Sequence, residues 1–263
     1  MRITATRNPQ HMKSNFLVYA SALLLAASAA SAPLHAQSDE PPPPWEFTSD
    51  LGFVNASGNT SITTLNVGER LIRRIERWEF TQDFGVVYGE TDGVESSNFW
   101  RAGLRSDFLL TPRFALYGRV GFDRNKFAGI NRRFNEGVGG VAKLVNTAKN
   151  EWNAEAGIEA TQQRDLARTS DSFTSLRAAT SWKHKFSDAA HFLQIVEVLP
   201  NLDVSDDLRV NTESTLVAPL STHVGITVSY LIRYDNLPAF NAAGTARLKK
   251  SDRMLSTGLR IAY

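Results

Sequence analysis

Hydrophobic and polar residues alternate along most of this chain with a period of two. The clearest run is Trp78, Phe80, Gln82, Phe84, Val86 and Tyr88, interleaved with Glu79, Thr81, Asp83 and Gly85. A second sets Trp100, Ala102, Leu104, Ser106, Phe108 and Leu110 against Arg101, Gly103, Arg105 and Asp107. That is the spacing of a β-strand with two unlike faces, not the 3.6 of a helix. Similar alternation runs through residues 114–122, 134–144, 152–162, 176–186, 210–218, 224–234 and 255–263. It is less clean over residues 45–53, 63–71 and 192–199. The pattern predicts twelve strands, most of about ten residues, the length a tilted strand needs to cross a bilayer.

The predicted connections sort by length. After a first hairpin over residues 55–60, short links at 74–77, 111–113, 146–150, 187–190 and 220–222 alternate with longer ones at 89–98, 123–133, 163–172, 200–208 and 235–251. Short turns on one side, longer loops on the other and an even strand number are the signature of an outer-membrane barrel. The expected fold is therefore all-β, a transmembrane antiparallel up-and-down β-barrel of about twelve strands over residues 45–263, with both termini periplasmic.

Alternation alone also fits a lipocalin-like barrel with its apolar face inward. Two features favour the opposite arrangement. Trp45, Trp78, Trp152 and Trp182, with Phe114 and Phe186, fall beside the predicted periplasmic ends, and Trp100, Tyr88, Phe173 and Tyr234 fall near the other ends. Two such aromatic girdles are what membrane interfaces select. The last strand also alternates through Leu255, Thr257, Leu259 and Ile261 to Tyr263, the form of a C-terminal signal for barrel assembly machinery.

The chain ahead of the barrel reads as an address. Lys13 and two arginines precede an apolar stretch over residues 16–32, and small residues lead to cleavage after Ala36. Residues 1–36 are thus an expected signal peptide, with Met12 as an alternative start and an uncleaved anchor as the competing reading. Residues 37–44, QSDEPPPP, form a proline-rich periplasmic tether that cannot join a ladder.

Composition then fits this picture. The 263 residues are 42% hydrophobic and 21% charged, with a mean hydropathy of -0.25. That balance suits strands sending alternate residues to lipid and to water. The absence of cysteine excludes a disulfide framework, a thiolate metal site and a thiol nucleophile. The signal segment holds Arg2, Arg7 and Lys13 and no acid, so of 29 basic residues 26 remain against 27 acids. The mature chain is near neutral and offers no basic face for nucleic acid.

The polar face carries glycine with polar neighbours two residues away: Asp50 and Gly52, Gly68 and Arg70, Asp83 and Gly85, Gly103 between Arg101 and Arg105, Gly121 between Arg119 and Asp123, Gly157 between Glu155 and Glu159. The candidate lumen-facing residues are Arg70, Arg101, Arg105, Arg119, Asp123, Glu155, Glu159, Arg177 and Arg233. Strong ion selectivity would call for one sign around a constriction. The mixed signs predict salt bridges across a narrow or partly closed lumen, and they also fit a packed interior that is merely neutralised.

No GxSxG elbow, phosphate loop or HExxH motif occurs. His184, His191 and His223 lie near predicted periplasmic turns, and His184 falls between Trp182 and Phe186 on the lipid-facing register. These are girdle or turn histidines rather than a convergent acid–base site. The expectation is no catalytic site, no metal and no cofactor, with a loop-based hydrolase as a distant reading.

Several segments resemble the domain-of-unknown-function 481 family, the salt-induced outer membrane proteins. They are residues 57–60 (SGNT), residues 122–130 (FDRNKFAGI) with Arg133 and the strand from Gly137 to Gly140, residues 233–238 (RYDNLP), and residues 252–255 with Gly258 and Leu259. The resemblance implies an outer-membrane barrel of a Gram-negative bacterium linked to salt or osmotic conditions, and no catalytic residues. The functional expectation is a narrow passive channel or porin-like pore for ions or small solutes. The alternative is a plugged structural barrel serving envelope integrity or surface interaction. The expected partners are outer-membrane lipid and lipopolysaccharide, periplasmic chaperones and the barrel assembly machinery, and the solutes themselves.

Overall fold

A computed structural model of the protein describes residues 43–56, 62–126, 128–187 and 189–262. The expected signal at residues 1–36 and the first part of the tether lie outside the described residues. The last two tether prolines are held against the barrel, since the Pro44 carbonyl accepts the Arg74 backbone N–H at 2.9 Å and the Pro43 carbonyl accepts Arg74 Nη1 at 2.8 Å.

Alternating segments become the strands β1 (Trp45–Ala56), β2 (Ile62–Ile75), β3 (Trp78–Thr91), β4 (Val94–Thr111), β5 (Phe114–Asn125), β6 (Ile130–Asn146), β7 (Asn150–Asp165), β8 (Ser170–Lys185), β9 (His191–Pro200), β10 (Leu208–Pro219), β11 (Val224–Asp235) and β12 (Ser251–Ala262). Each pairs antiparallel with its successor, and β12 returns to β1 to close the barrel. Across that seam Arg260 grips Asp50 with two hydrogen bonds of 2.8 Å, and the Thr227 hydroxyl donates to the same carboxylate at 3.0 Å.

The polarity of the two faces settles what kind of barrel this is. Leu51, Phe53, Leu104, Val138, Ile158, Leu255 and Leu259 all point outward and are exposed. The buried positions include Asp107, Asp123, Asn135, Glu159, Thr161, Arg177 and Arg209. A water-soluble barrel needs the reverse, because burial of apolar area is what drives its folding. Here the apolar surface faces lipid and the polar side chains line the lumen, so the chain folds as a transmembrane barrel.

The aromatic girdle beside the short turns contains two clusters of rings in contact. Trp78 packs on Phe80 and Phe108 with ring centroids 5.8 and 4.9 Å apart, and Trp182 meets Phe192 at 6.0 Å. At the other rim Trp100 stacks on Phe122 at 4.9 Å. Phe173, expected in that outer girdle, instead points into the lumen. It shares a face with Ser175 and Arg177, pairs with Thr161, and lies 4.9 Å beneath the Arg209 guanidinium.

Strands β4, β6, β7 and β8 hold 18, 17, 16 and 16 residues, more than a bilayer requires. The extra residues lie at the rim opposite the termini, so part of each expected long loop is continued ladder. Residues 89–98 fold as a hairpin turning at Asp92 and Gly93, both with positive φ. Above the bilayer water covers both faces, so no apolar alternation marks these strand ends.

Two acids break the lipid-facing pattern. Glu69 stands between Ser49 and Phe84, and Glu136 between Val120 and Ala160. A charge facing lipid is destabilising. Glu136→Leu is therefore expected to stabilise the barrel by about 1 kcal/mol, read as a higher midpoint in urea unfolding from vesicles; a lower midpoint would show the carboxylate has a partner in the membrane.

Candidate functional site: the lumen and its outer mouth

The spacing of glycine and charge on the inward face acquires its meaning through strand register. Antiparallel pairing sets Gly85 opposite Arg101, Gly103 opposite Asp83, Gly137 opposite Arg119 and Gly157 opposite Arg177. A Cβ at Gly85 would stand 3.4 Å from Arg101 Nε, and one at Gly137 3.2 Å from Arg119 Cγ. The long side chains thus start along the wall, over the space the glycines leave open.

The closest approach is at Tyr117. Its ring lies over Gly139 and Gly157, where a Cβ would come within 2.7 Å of the ring and 2.5 Å of the hydroxyl, respectively. The two glycines are cross-strand partners and make one flat seat. On the other side of the ring sit two guanidinium groups, Arg105 at 4.4 Å and Arg177 at 5.4 Å, where the π-face favours a cation.

From this aromatic floor an ion-paired network spreads over one wall. Arg105 grips Asp107 through two hydrogen bonds of 2.7 Å and reaches Glu155 at 2.9 Å. Arg177 donates to the same Glu155 oxygen at 2.6 Å, to Glu197 at 2.6 Å and to the Tyr117 hydroxyl at 3.1 Å. Glu197 also accepts from Arg119 at 3.0 Å and Asn211 at 2.9 Å, and Arg119 lies 3.7 Å from Glu159. The charged members alternate in sign, so each buried charge has a partner, which a low-dielectric site requires.

Three inward arginines elsewhere in the bore are held differently. Arg70, Arg101 and Arg233 make no ion pair within 4.0 Å among the described residues; Asp83 and Glu213 act on Arg70, and Asp123 and Glu213 on Arg233, only through space. Arg233 lies over the Phe99 ring at 4.3 Å. Arg70 is exposed although it faces inward near mid-strand. Water therefore reaches the bore beside Arg70.

The outer mouth carries a strap. Residues 236–250 connect β11 to β12 as a small hairpin, with Leu248 N–H donating to the Ala239 carbonyl at 3.0 Å and Asn241 N–H to the Ala246 carbonyl at 2.9 Å. This hairpin meets the turn between β5 and β6, halfway round the barrel. Gly129 in that turn has φ +75°, and a Cβ there would fall 2.7 Å from Leu248 Cδ1 and 2.9 Å from Ala239 Cβ. The strap tip at Gly244 comes near Ala167 in the β7–β8 turn. One segment that carries the family resemblance, residues 122–130, thus meets the strap at a latch of Ala239, Phe240 and Leu248, just after another, residues 233–238.

Of the nine candidate residues, Arg105, Arg119, Glu155, Glu159 and Arg177 come together in the network. Asp123 is held instead by Arg133, through two hydrogen bonds of 3.0 Å nearer the outer mouth. Arg70 and Arg233 lie on β2 and β11, away from the network, and Arg101 on β4 nearer the outer mouth than Arg105, and none of the three has an ion pair within 4.0 Å among the described residues. Sequence reasoning missed Tyr117, Glu197, Asn211, Arg133 and Arg209. Tyr117 shares its face with Arg119 and lies over glycines, which register would have revealed. Glu197 was hidden because β9 is apolar on both faces, with Leu193, Ile195 and Leu199 on the lumen side.

His184 Nδ1 lies 2.8 Å from Asn150 Oδ1, with its ring 5.9 Å from Trp182 and 5.0 Å from Phe186. Among the described residues no group of three or more His, Asp or Glu side chains is placed to hold a metal ion.

Comparison with known proteins gives a family match described as protein of unknown function, DUF481, over residues 49–263. A curated relative, the uncharacterized protein YdiY of Escherichia coli strain K12, is 23% identical over 206 residues, covering 76% of this chain and 77% of its own length. Similar solved structures include the NanC porin, with TM-score 0.46 and 10% identity over 82% of this chain and 97% of that one. Another is the translocator domain of autotransporter NalP from Neisseria meningitidis, with TM-score 0.43 and 13% identity over 95% and 97%.

Proposed function

This chain belongs to the DUF481 family, and from that premise we propose that it is an exported outer-membrane barrel forming a narrow passive channel for ions or small solutes. The observation that carries the reading is Arg70, inward-facing near mid-strand and yet exposed. A plugged interior would bury it or pair it. The lane beside it is lined by Arg70, Arg101 and Arg233 with Asp83, Glu213 and Asp252, so both signs are present and selectivity is weak. The ion-paired wall narrows the bore from one side, and the strap narrows its outer mouth. The link with salt or osmotic stress implied by the family resemblance makes osmotic shift the physiological condition to examine.

The strap favours a second reading, a closed barrel acting structurally in envelope integrity or surface interaction. Planar-bilayer recording separates the two. A channel gives stable unitary steps of weak selectivity, and Arg70→Glu moves the reversal potential toward cation preference. Silence from barrels shown to be closed by heat-modifiable gel migration would sink the channel and leave the structural barrel.

A further inference from the structure

Three arginines face lipid at the outer aromatic row, level with Trp100 and just beyond Phe122 and Phe134. Arg124 is the cross-strand partner of Trp100, and Arg132 that of Arg164, on the adjacent strands β5, β6 and β7. Phe122 and Phe134 face each other on the same side of the sheet. Each of Arg124 and Arg132 stands two positions closer to the outer rim than its aromatic, about 7 Å along the strand. That is the depth of lipid headgroups.

None of the three arginines has an ion pair within 4.0 Å among the described residues, and Glu95 acts on Arg124 only through space. Arg132 is exposed, and the Nε atoms of Arg124 and Arg164 are buried without a hydrogen-bond partner among the described residues. A buried donor without an acceptor needs an explanation, and like charges directly opposed on a sheet repel each other. The nearby acids are committed or displaced: Glu95 pairs with Lys126 at 3.2 Å, Asp123 is held inside the lumen by Arg133, and Glu136 lies on the membrane side of Phe134. Below the aromatic row the lipid-facing wall is grooved, with a volume of about 800 Å³ between Leu104, Val120, Val138 and Ile158 and with Glu136 at its edge, among the described residues the one acid that lines it.

We propose that Arg124, Arg132 and Arg164 bind the phosphorylated headgroup of an outer-leaflet lipid of the lipid A type, with acyl chain in the groove beneath. The proposal rests on the outer-membrane orientation given above. Planar guanidinium groups match phosphate oxygens with paired hydrogen bonds, and a phosphate would supply the acceptors that the two buried Nε atoms lack. The groove makes the site lipid-specific, since free phosphate has nothing to place there.

Native mass spectrometry of the detergent-purified barrel tests this, with diphosphorylated lipid A, its dephosphorylated form and inorganic phosphate as probes. The expected result is retention of the phosphorylated lipid alone, weakened roughly tenfold or more in the triple variant Arg124→Gln, Arg132→Gln, Arg164→Gln. The single variant Arg132→Gln is expected to weaken binding severalfold, which serves as the reading if the triple variant does not close; unchanged binding by it would then overturn the proposal. Equal binding of the dephosphorylated lipid, or undiminished binding by the folded triple variant, overturns the proposal. Displacement of lipid by millimolar inorganic phosphate would instead identify a free-phosphate site. Conductance of the triple variant is expected to match the unaltered barrel. A barrel that binds lipid and conducts nothing would end the channel reading while leaving this one standing.

Discussion

Gly129→Val is expected to open the outer mouth and raise unitary conductance. Gly129 has a φ of +75°, and a Cβ on it would stand 2.7 Å from Leu248 Cδ1, 2.9 Å from Ala239 Cβ and 3.0 Å from the Phe240 carbonyl. A non-glycine residue in such backbone costs about 1–3 kcal/mol, and branching at Cβ places it against the strap as well. The strap keeps its own bonds, because Arg247 Nη1 donates to the Pro238 carbonyl at 2.7 Å and its guanidinium lies 4.7 Å over Phe240. It stays folded and loses its seat. The β5–β6 ladder below the turn is untouched, so the barrel stays closed and the midpoint of urea unfolding falls by no more than that strain while conductance rises. Gly244→Ala is the useful contrast: its φ is +70°, yet a Cβ there meets only Ala167 at 3.9 Å. It strains the strap tip without touching the latch and leaves conductance nearly as it was. Unchanged conductance in a folded Gly129→Val barrel would show that the strap is not the constriction.

The fold was legible because lipid and water divide each strand in the same way. Trp78 to Tyr88 and Trp100 to Leu110 announce their strands, since each second residue must be apolar to face the bilayer. Legibility ended where that contrast ended. At residues 89–98 both faces meet water, so ladder looked like loop. On β9 the lumen side carries Leu193 and Ile195, so Glu197 was lost within an apolar run. Residue type and strand end alone put Phe173 in the outer girdle, whereas its parity with Ser175 and Arg177 turns it inward. The site was half visible for a related reason. Glycine beside charge could be read along the chain, but which glycine receives which side chain depends on register between strands. Gly139 and Gly157 seat Tyr117 only because β6 and β7 pair as they do. The latch between Gly129 and the strap joins residues more than a hundred positions apart in sequence and halfway round the barrel. Only closure brings them together.

Removal of the Glu197 carboxylate is expected to be the most destabilising single change in the lumen. It accepts from Arg177 at 2.6 Å, Asn211 at 2.9 Å and Arg119 at 3.0 Å. The Glu197 side chain is 15% exposed and that of Arg177 7%. Glu197→Leu takes one acceptor from each guanidinium group, leaving Arg177 with Glu155 and Arg119 with Glu159, and loss of one partner from a buried pair costs about 3–5 kcal/mol. Water in the bore relieves Arg119 more readily than Arg177, which is pinned against Tyr117 and Glu155, so the lower end of that range is expected. A clear fall in the urea midpoint would report it. The double variant Glu197→Leu with Arg177→Met should recover most of the loss, because replacing both members of a buried pair is often close to neutral. It leaves Glu155 still held by Arg105. If the single variant instead unfolds where the unaltered barrel does, Arg177 has found water, and the bore beside it is wider than the ion-paired wall implies. Conductance of the same variant then decides between them: a rise without loss of stability belongs to a hydrated wall, and a fall in stability belongs to a packed one.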